Sequence, residues 1–317
     1  MSGPEHDALS ASKPLRIVIS GASGFLGGSF AGHFSRAGHR VQRLVRRPPR
    51  PGEEEIGWEP ARGEMDSASL EGADALVNFS GENLAGGRWT KTRKTALWDS
   101  RVNSTRLLAE TLAKLNKRPR VFVSASAVGF YGNRGAEPLD EASPPGQGFL
   151  PDLCVAWEEA TEPARQAGVR VVNLRLGLVL SARGGALPRM LLPFRLGLGG
   201  RVGNGNQVWS WIGLEDLLAV VGAVIEIAAF SGPVNAVAPH PATNAEFTRT
   251  LARVLRRPAI FPLPAAVVRL MFGEMGENLL LQGAHVLPKT LAEQGFQFGN
   301  GDLESALRSG LRPAAES

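Results

Sequence analysis

Leu15-Arg-Ile-Val-Ile-Ser20 runs directly into Gly21-Ala-Ser-Gly-Phe-Leu-Gly-Gly28, and Ser29 to Ala37 follows with a helical pattern that Gly38 closes. The order is a short apolar strand, a glycine turn and a helix. Glycines at such a turn let the backbone bend sharply and approach a pyrophosphate, which rests on the free N–H groups at the helix N-terminus. Gly27 and Gly28 let the helix lie close against the sheet. The motif is informative because strand and helix flank it on the correct sides. It points to a dinucleotide site built from Gly21, Ser23, Gly24, Phe25, Leu26 and Gly27.

Moving outward, Val41-Gln-Arg-Leu-Val45 reads as a second strand that ends at Arg46-Arg47-Pro48. A site that takes NAD usually places Asp or Glu here to hold the ribose 2′-hydroxyl. Arg46 and Arg47 stand there instead, and a guanidinium fork suits phosphate oxygens. The expected cofactor is therefore NADP(H), with Arg46 holding the 2′-phosphate and Arg47 or Arg43 in support. A third strand over Ala73 to Gly81 brings Phe79, Ser80 and Gly81 to the adenosine side. Helix follows from Arg88 to Leu115, and a fourth strand at Val121-Phe-Val123 leads into Ser126 and Tyr131. A polar loop, Asn133 to Pro151, precedes a helix over Asp152 to Ala167 and a fifth strand over Val169 to Leu174. Alternating strands and helices predict an α/β fold with a doubly wound parallel sheet, whose ligands lie at the carboxyl ends of the strands.

From about Ser181 the pattern changes. Leu187 to Gly200 reads as a glycine-bounded helix, Val208 to Ile212 as strand, Leu214 to Phe230 as a buried helix and Val234 to Val237 as strand. Asn244 to Leu255 is amphipathic with Thr243 as its cap, and Leu263 to Leu281 carries another apolar face. The expected organisation is a flexible segment over 1–14, a nucleotide-binding domain over 15–180 and a smaller substrate lobe over 181–317, from which the sheet can borrow strands.

Composition narrows the function classes. The chain has 317 residues, 43% hydrophobic and 21% charged, the balance of a globular protein with a real core. One cysteine excludes an internal disulfide and suits a reducing cytoplasm. No apolar run approaches the ~18 residues of a membrane span, and Leu217 to Phe230 is interrupted by Glu226. The first 13 residues lack a signal-peptide core. The net charge of +5 and pI near 9.9 invite a nucleic-acid reading. However, only six of the 35 basic residues are lysines, and the arginines are scattered apart from Arg43 to Arg50. No nucleic-acid, membrane or metal partner is expected. His6, His33, His39, His240 and His285 show no metal-ligand spacing.

The motifs ISGASGFLGG, LVNFSGENLAGGRW, SASAVGFYG, RLGLVLSARGGALPRMLLPFRLGLGG and NAVAPHPATNAEFTRTLARVLRRP together resemble the extended short-chain dehydrogenase/reductases. The likeness is to their atypical epimerase branch, which carries a C-terminal domain of unknown function. The resemblance covers the whole chain and implies a Rossmann-type fold, NADP(H) binding and a small-molecule substrate, in a monomer or homodimer. It adds Arg101 and Val179 to the cofactor set, Arg101 standing where the superfamily has a helix asparagine. It also implies Ser126 as the catalytic hydroxyl. Ordinary members pair Tyr with Lys four residues on, the lysine lowering the phenol pKa. Here Cys154 and Glu158 occupy those places, and a carboxylate would raise the pKa of a neighbouring acid, so the usual mechanism does not transfer. Tyr131, the only tyrosine, reads either as a relocated proton donor or as a packed phenol. Glu158 reads either as a helix-surface charge or as an acid facing substrate. Two function readings follow: an NADP(H)-dependent oxidoreductase or epimerase with non-standard acid/base groups, or an NADP(H)-binding regulatory or structural protein with little catalysis.

Overall fold

Ile17, Val18 and Ile19 have no exposed surface, and a strand apolar on both faces belongs in the middle of a covered parallel sheet. The structure, a computed structural model, describes residues 13–312. The expected flexible segment over 1–14 falls almost entirely on residues 1–12, which lie outside the described residues.

The chain runs through β1 (Arg16–Ser20), α1 (Phe25–Arg36), β2 (Arg40–Val45), β3 (Glu55–Glu59), β4 (Glu64–Met65), β5 (Ala75–Asn78), α2 (Lys91–Lys114) and β6 (Val121–Ala127). It continues through β7 (Gly135–Leu139), α3 (Phe149–Glu159), α4 (Glu162–Gln166), β8 (Arg170–Leu176), β9 (Leu178–Leu180) and α5 (Leu187–Arg195). Then come β10 (Val208–Trp209), β11 (Trp211–Gly213), α6 (Leu214–Glu226), β12 (Gly232–Ala236), β13 (Ala242–Thr243) and α7 (Asn244–Leu255). The last elements are α8 (Ala265–Gly276), β14 (Ala284–Val286), α9 (Lys289–Glu293) and α10 (Leu303–Gly310).

Eight strands form one sheet in the order β12-β8-β6-β5-β1-β2-β3-β4. All neighbours are parallel except β3 and β4. The chain winds outward from β1 to β3, returns to β5 and winds outward the other way. The direction reverses between β1 and β5, the switch point at which such sheets open a crevice for ligand. This is the Rossmann-type α/β arrangement. Helices α1 and α6 cover one face, with Phe30, Phe34, Leu217 and Val221 against Ile17, Val77 and Val123. On the other face, Leu108 and Leu112 of α2 pack on Val18, Leu76 and Phe122. A smaller core gathers Trp209, Trp211, Leu187, Phe194, Phe247, Leu251 and Leu307.

Several boundaries differ from the sequence reading. β3 was not anticipated: its acidic residues mask the alternation that buries Ile56 and Trp58. β7 lies inside the segment expected to be a polar loop and pairs with β14. The helix expected over Asp152 to Ala167 starts at Phe149 and breaks after Glu159, with Pro163 opening α4, a position where proline's missing N–H costs nothing. The apolar segment from Leu263 bends at Gly273, whose φ of 58° is left-handed. Thr243 caps α7 in a reciprocal box with Glu246.

Candidate functional site

The glycine turn after β1 is shaped by contacts that admit no side chain. Gly21 has φ +71°, and a Cβ there would stand 2.6 Å from the Phe79 carbonyl oxygen. A Cβ on Gly27 would stand 2.3 Å from the Gly21 oxygen. The turn is closed by Gly24 N donating to Gly21 O at 2.9 Å. Gly24 then caps α1 without a side-chain bond. The first-turn amides around Phe25, Leu26 and Gly27 thus have no side-chain acceptor, the condition that favours an anion. Ser23 and Gly24 are exposed at the lip of this cradle. Phe25 lies partly buried beneath the 181–185 loop, where a Cβ on Gly184 would come within 2.5 Å of its ring. Val179 joins the same wall, paired with Ile212 between β9 and β11.

Arg46 follows the last residue of β2 at the same sheet edge. It is exposed and makes no hydrogen bond or ion pair with any described residue. Arg47 is already engaged, donating from both terminal nitrogens to Glu55; Arg50 shares that carboxylate. These bonds, the Arg47 side chain foremost, pull the Glu55 carboxyl down to about 2. The tight arginine group thus divides into Arg43 and Arg46, exposed and without an ion pair among the described residues, and Arg47 and Arg50, held by Glu55.

At the end of β5, Asn78 is fully buried and organises its surroundings. Its Oδ1 accepts from Ser20 Oγ at 2.5 Å and from Ser80 N at 3.1 Å, and its Nδ2 donates to Thr105 Oγ1 at 2.8 Å. Phe79 turns inward and stacks on Phe30, centroids 4.6 Å apart, leaving Ser80 and Gly81 along the crevice. Arg101, buried on α2, reaches back to this segment and donates to Glu82 O at 2.8 Å and Leu97 O at 3.1 Å. A Cβ on Gly81 would meet its guanidinium carbon at 3.2 Å. Burial lowers the Arg101 pKa to about 10, so it stays charged at neutral pH beside the crevice. The Glu82 side chain is paired with Arg93, and Asn83 caps its own turn through Ala85 N.

The neighbouring strands carry a connected polar network. Ser126 Oγ, on β6, donates to Glu158 Oε1 at 2.6 Å. Arg175, opposite Ser126 on β8, grips both Glu158 oxygens, Nε to Oε1 at 2.8 Å and Nη2 to Oε2 at 2.9 Å. Its Nη1 donates to Tyr131 Oη at 2.9 Å, and that hydroxyl donates to Asn235 Oδ1 at 2.7 Å. The guanidinium also lies 3.5 Å from the centroid of Phe130. Burial is the largest single influence and opposes the Arg175 charge, but the bonds and charges of Glu158 and Tyr131 together raise its pKa. Tyr131 has no exposed surface, and burial, partly offset by Arg175, raises its phenol. Cys154 is 2% exposed; burial, reinforced by Glu158, pushes its thiol up to about 12.

The structure therefore brings Ser126, Glu158 and Tyr131 into one cluster and leaves Cys154 protonated beside it. Sequence reasoning missed Arg175 and Asn235. A signal existed: a charged residue inside Val171-Val-Asn-Leu-Arg-Leu176 is rarely buried without a carboxylate partner. Trp209 and Trp211 pack in the smaller core. His39 accepts from Leu15 N. Among the described residues, no group of His, Cys, Asp and Glu could hold a metal ion.

A parallel sheet with this glycine cradle at its switch point defines a nucleotide-binding protein of the short-chain dehydrogenase/reductase type. Residues 17–237 match the NAD dependent epimerase/dehydratase family, and residues 263–309 match a domain of unknown function, DUF1731. The chain belongs to this NAD(P)-dependent family. It is 43% identical over 291 residues to an epimerase family protein of Mycobacterium tuberculosis, covering 92% of this chain and 96% of that one. It is 38% identical over 299 residues to epimerase family protein SDR39U1 of Homo sapiens, covering 93% and 99%. The crystal structure of human SDR39U1 with NADPH superposes with a TM-score of 0.86 at 36% identity, covering 93% of this chain and 98% of that one.

Proposed function

We propose that the chain binds NADP(H) and transfers hydride to or from a small carbonyl or hydroxyl substrate, as an oxidoreductase or an epimerase. The observation that carries this reading is the Ser126–Glu158 bond of 2.6 Å at the carboxyl end of β6. It joins a hydroxyl at the place of the superfamily's serine to a carboxylate at the place of its lysine, an arrangement that supports an acid–base role for the two. Gly21 to Gly27 would hold the pyrophosphate, Arg46 the 2′-phosphate, with Arg47 in support once released from Glu55. Phe79, Ser80, Gly81, Arg101 and Val179 would border the rest. Arg46 and Arg47, rather than a carboxylate, stand directly after β2, and SDR39U1 was crystallised with NADPH. NADP(H), when bound, supplies or accepts a hydride at the nicotinamide ring.

The chain's own residues handle the proton. As a substrate hydroxyl is oxidised, its proton passes to Ser126 Oγ while the Ser126 proton passes to Glu158; reduction reverses both transfers. Arg175 keeps the carboxylate aimed at Ser126 through two parallel bonds, an arrangement that fixes geometry as well as charge. Tyr131 takes no part, because its hydroxyl is committed to Arg175 and Asn235. Cys154 takes none either, because its thiol stays protonated. A reducing cytoplasm is the compartment that one buried, unpaired cysteine suits.

One observation favours the second reading, an NADP(H)-binding regulatory protein. Ser126 is 1% exposed, and both Glu158 oxygens are engaged. Deuteride transfer from 4-deuterated NADPH to a panel of small carbonyl compounds separates the two. Transfer by the wild-type chain that falls ~100-fold or more in Ser126→Ala, with NADPH affinity kept, is the expected result. Tight NADPH binding with no transfer in either protein would establish the regulatory reading.

A further inference from the structure

Residues 182–214 and 247–273 contain nine arginines and neither Asp nor Glu. That exceeds the net charge of +5 for the whole chain, so the remainder is net acidic. The fold brings four of them, Arg195, Arg201, Arg256 and Arg257, to one ribbon, while Arg253 and Arg269 are paired with Glu304 and Glu277. The segment after α5 runs alongside the segment after α7: Phe261 N donates to Gly199 O at 3.1 Å, Leu263 N to Arg201 O at 2.9 Å and Gly203 N to Leu263 O at 2.9 Å. Pro258 lies 3.6 Å from where a Cβ on Gly197 would stand. Along this ribbon large apolar side chains face outward, Ile260 72% exposed, Leu196 65%, Leu198 57% and Phe261 53%. Arg195, Arg201, Arg256 and Arg257 stand exposed around them and form no ion pair with described residues.

A contiguous patch of large apolar side chains marks an interaction surface, and the cationic rim limits its partner. A second copy meeting it about a two-fold axis would set like charges against each other. A phosphate backbone would satisfy the arginines but leave Leu196, Leu198 and Ile260 in water. An anionic bilayer answers both features: headgroup phosphates and carboxylates take the guanidinium groups, while the acyl boundary takes the apolar side chains.

We infer that this ribbon is a docking surface for a membrane rich in anionic phospholipid, on which the protein lies peripherally. No described helix is long and apolar enough to cross a bilayer, so attachment is to the surface. The docked face continues into α8, where Leu270 is 76% exposed. The Leu270 carbonyl oxygen accepts from Arg88 at 3.1 Å, and Arg88 belongs to the loop between β5 and α2. The docking surface is thus tied by one hydrogen bond to a loop that leaves the nucleotide crevice.

Co-sedimentation of the full chain with vesicles tests this, comparing pure phosphatidylcholine with phosphatidylcholine containing about 30% phosphatidylserine, a mixture that gives the negative surface potential the arginines require. Binding to the anionic vesicles alone is expected. The double substitution I260E/F261E should weaken it by about tenfold or more, with thermal stability and NADPH titration unchanged. Arg256→Gly provides an independent arm: Arg256 has a left-handed φ of 53°, which glycine adopts freely. The fold is kept and one surface cation lost, for an expected loss of about fivefold. Absent or equal binding to the two vesicle types would overturn the proposal, as would full binding by I260E/F261E. A dimer that this double substitution dissolves, or duplex DNA binding that it leaves intact alongside absent vesicle binding, would assign the face to another partner and overturn it equally.

Discussion

The carboxyl edge of the sheet has two halves that treat polar groups in opposite ways. Around β1 and β2 the groups are bare: first-turn amides without a side-chain cap and an arginine, Arg46, without a partner among the described residues. Around β6 and β8 they are spent on one another, Ser126 on Glu158, Glu158 on Arg175, Arg175 on Tyr131 and Tyr131 on Asn235. The first half is preorganised for something that arrives from outside. The second is stabilised from within, and any catalysis must be run by groups that already have partners. Open and mutually satisfied polar groups thus sit side by side on the same sheet edge.

Four measurements probe that contrast. The largest effect should come from Glu158→Ala, which strands the nearly buried Arg175 charge; breaking such a pair costs about 3–5 kcal/mol. Urea unfolding should show the loss, and a change under about 1 kcal/mol would mean the β6–β8 side is not held by this pair. Gly27→Ala comes next, because its methyl would stand 2.3 Å from the Gly21 oxygen. Overpacking of this kind costs about 1–3 kcal/mol, and NADPH binding by fluorescence titration should be lost with it. Retained binding would show that the cradle is not the phosphate site.

Arg46→Ala should weaken NADPH binding by roughly tenfold to a hundredfold, the worth of charge-assisted hydrogen bonds, and leave NADH binding nearly unchanged. An equal loss for both cofactors would move the 2′-phosphate elsewhere. The smallest effect concerns Cys154. Its thiol has an ordinary value near 9 in the unfolded chain and about 12 in the fold. The buried neutral thiol therefore leaves stability intact below pH 9, and that stability declines as pH rises from 9 toward 12. Wild type should lose more stability across that window than Cys154→Ala. At pH 8 the native thiol should resist iodoacetamide, and rapid native-state labelling would contradict its burial.

The two halves were also unequally legible. The Gly21 to Gly27 turn and Arg46 could be read because local chain order carries the signal: an apolar run, glycines at fixed offsets, a cation after the next strand. Ser126, Tyr131 and Glu158 were each visible as residues, but their bonds were not. The Ser126–Glu158 contact spans 32 positions and the Tyr131–Asn235 contact 104, and no periodicity encodes such meetings. Arg175 was hidden because an apolar strand pattern absorbs one charged residue without changing the strand assignment. In the same way β3 was hidden because three glutamates in a row look like a solvated loop, although Ile56 and Trp58 alternate correctly for a half-buried strand. Pro151 fits the first turn of α3 because no earlier carbonyl requires its missing N–H.

The position of β12 has a consequence for how the chain must be made. This strand closes the far side of the sheet against β8, yet it follows α5 and the short strands of the smaller core in chain order. The polypeptide leaves the sheet after β8, builds part of the lobe, and returns with α6 and β12 before leaving again. A ribosome that has released only residues 1–180 holds a sheet with β8 as an open edge and one face without α6. Such an intermediate offers unpaired backbone groups and uncovered valines to other nascent chains. The eight-stranded sheet is therefore complete only after residue 236 has emerged.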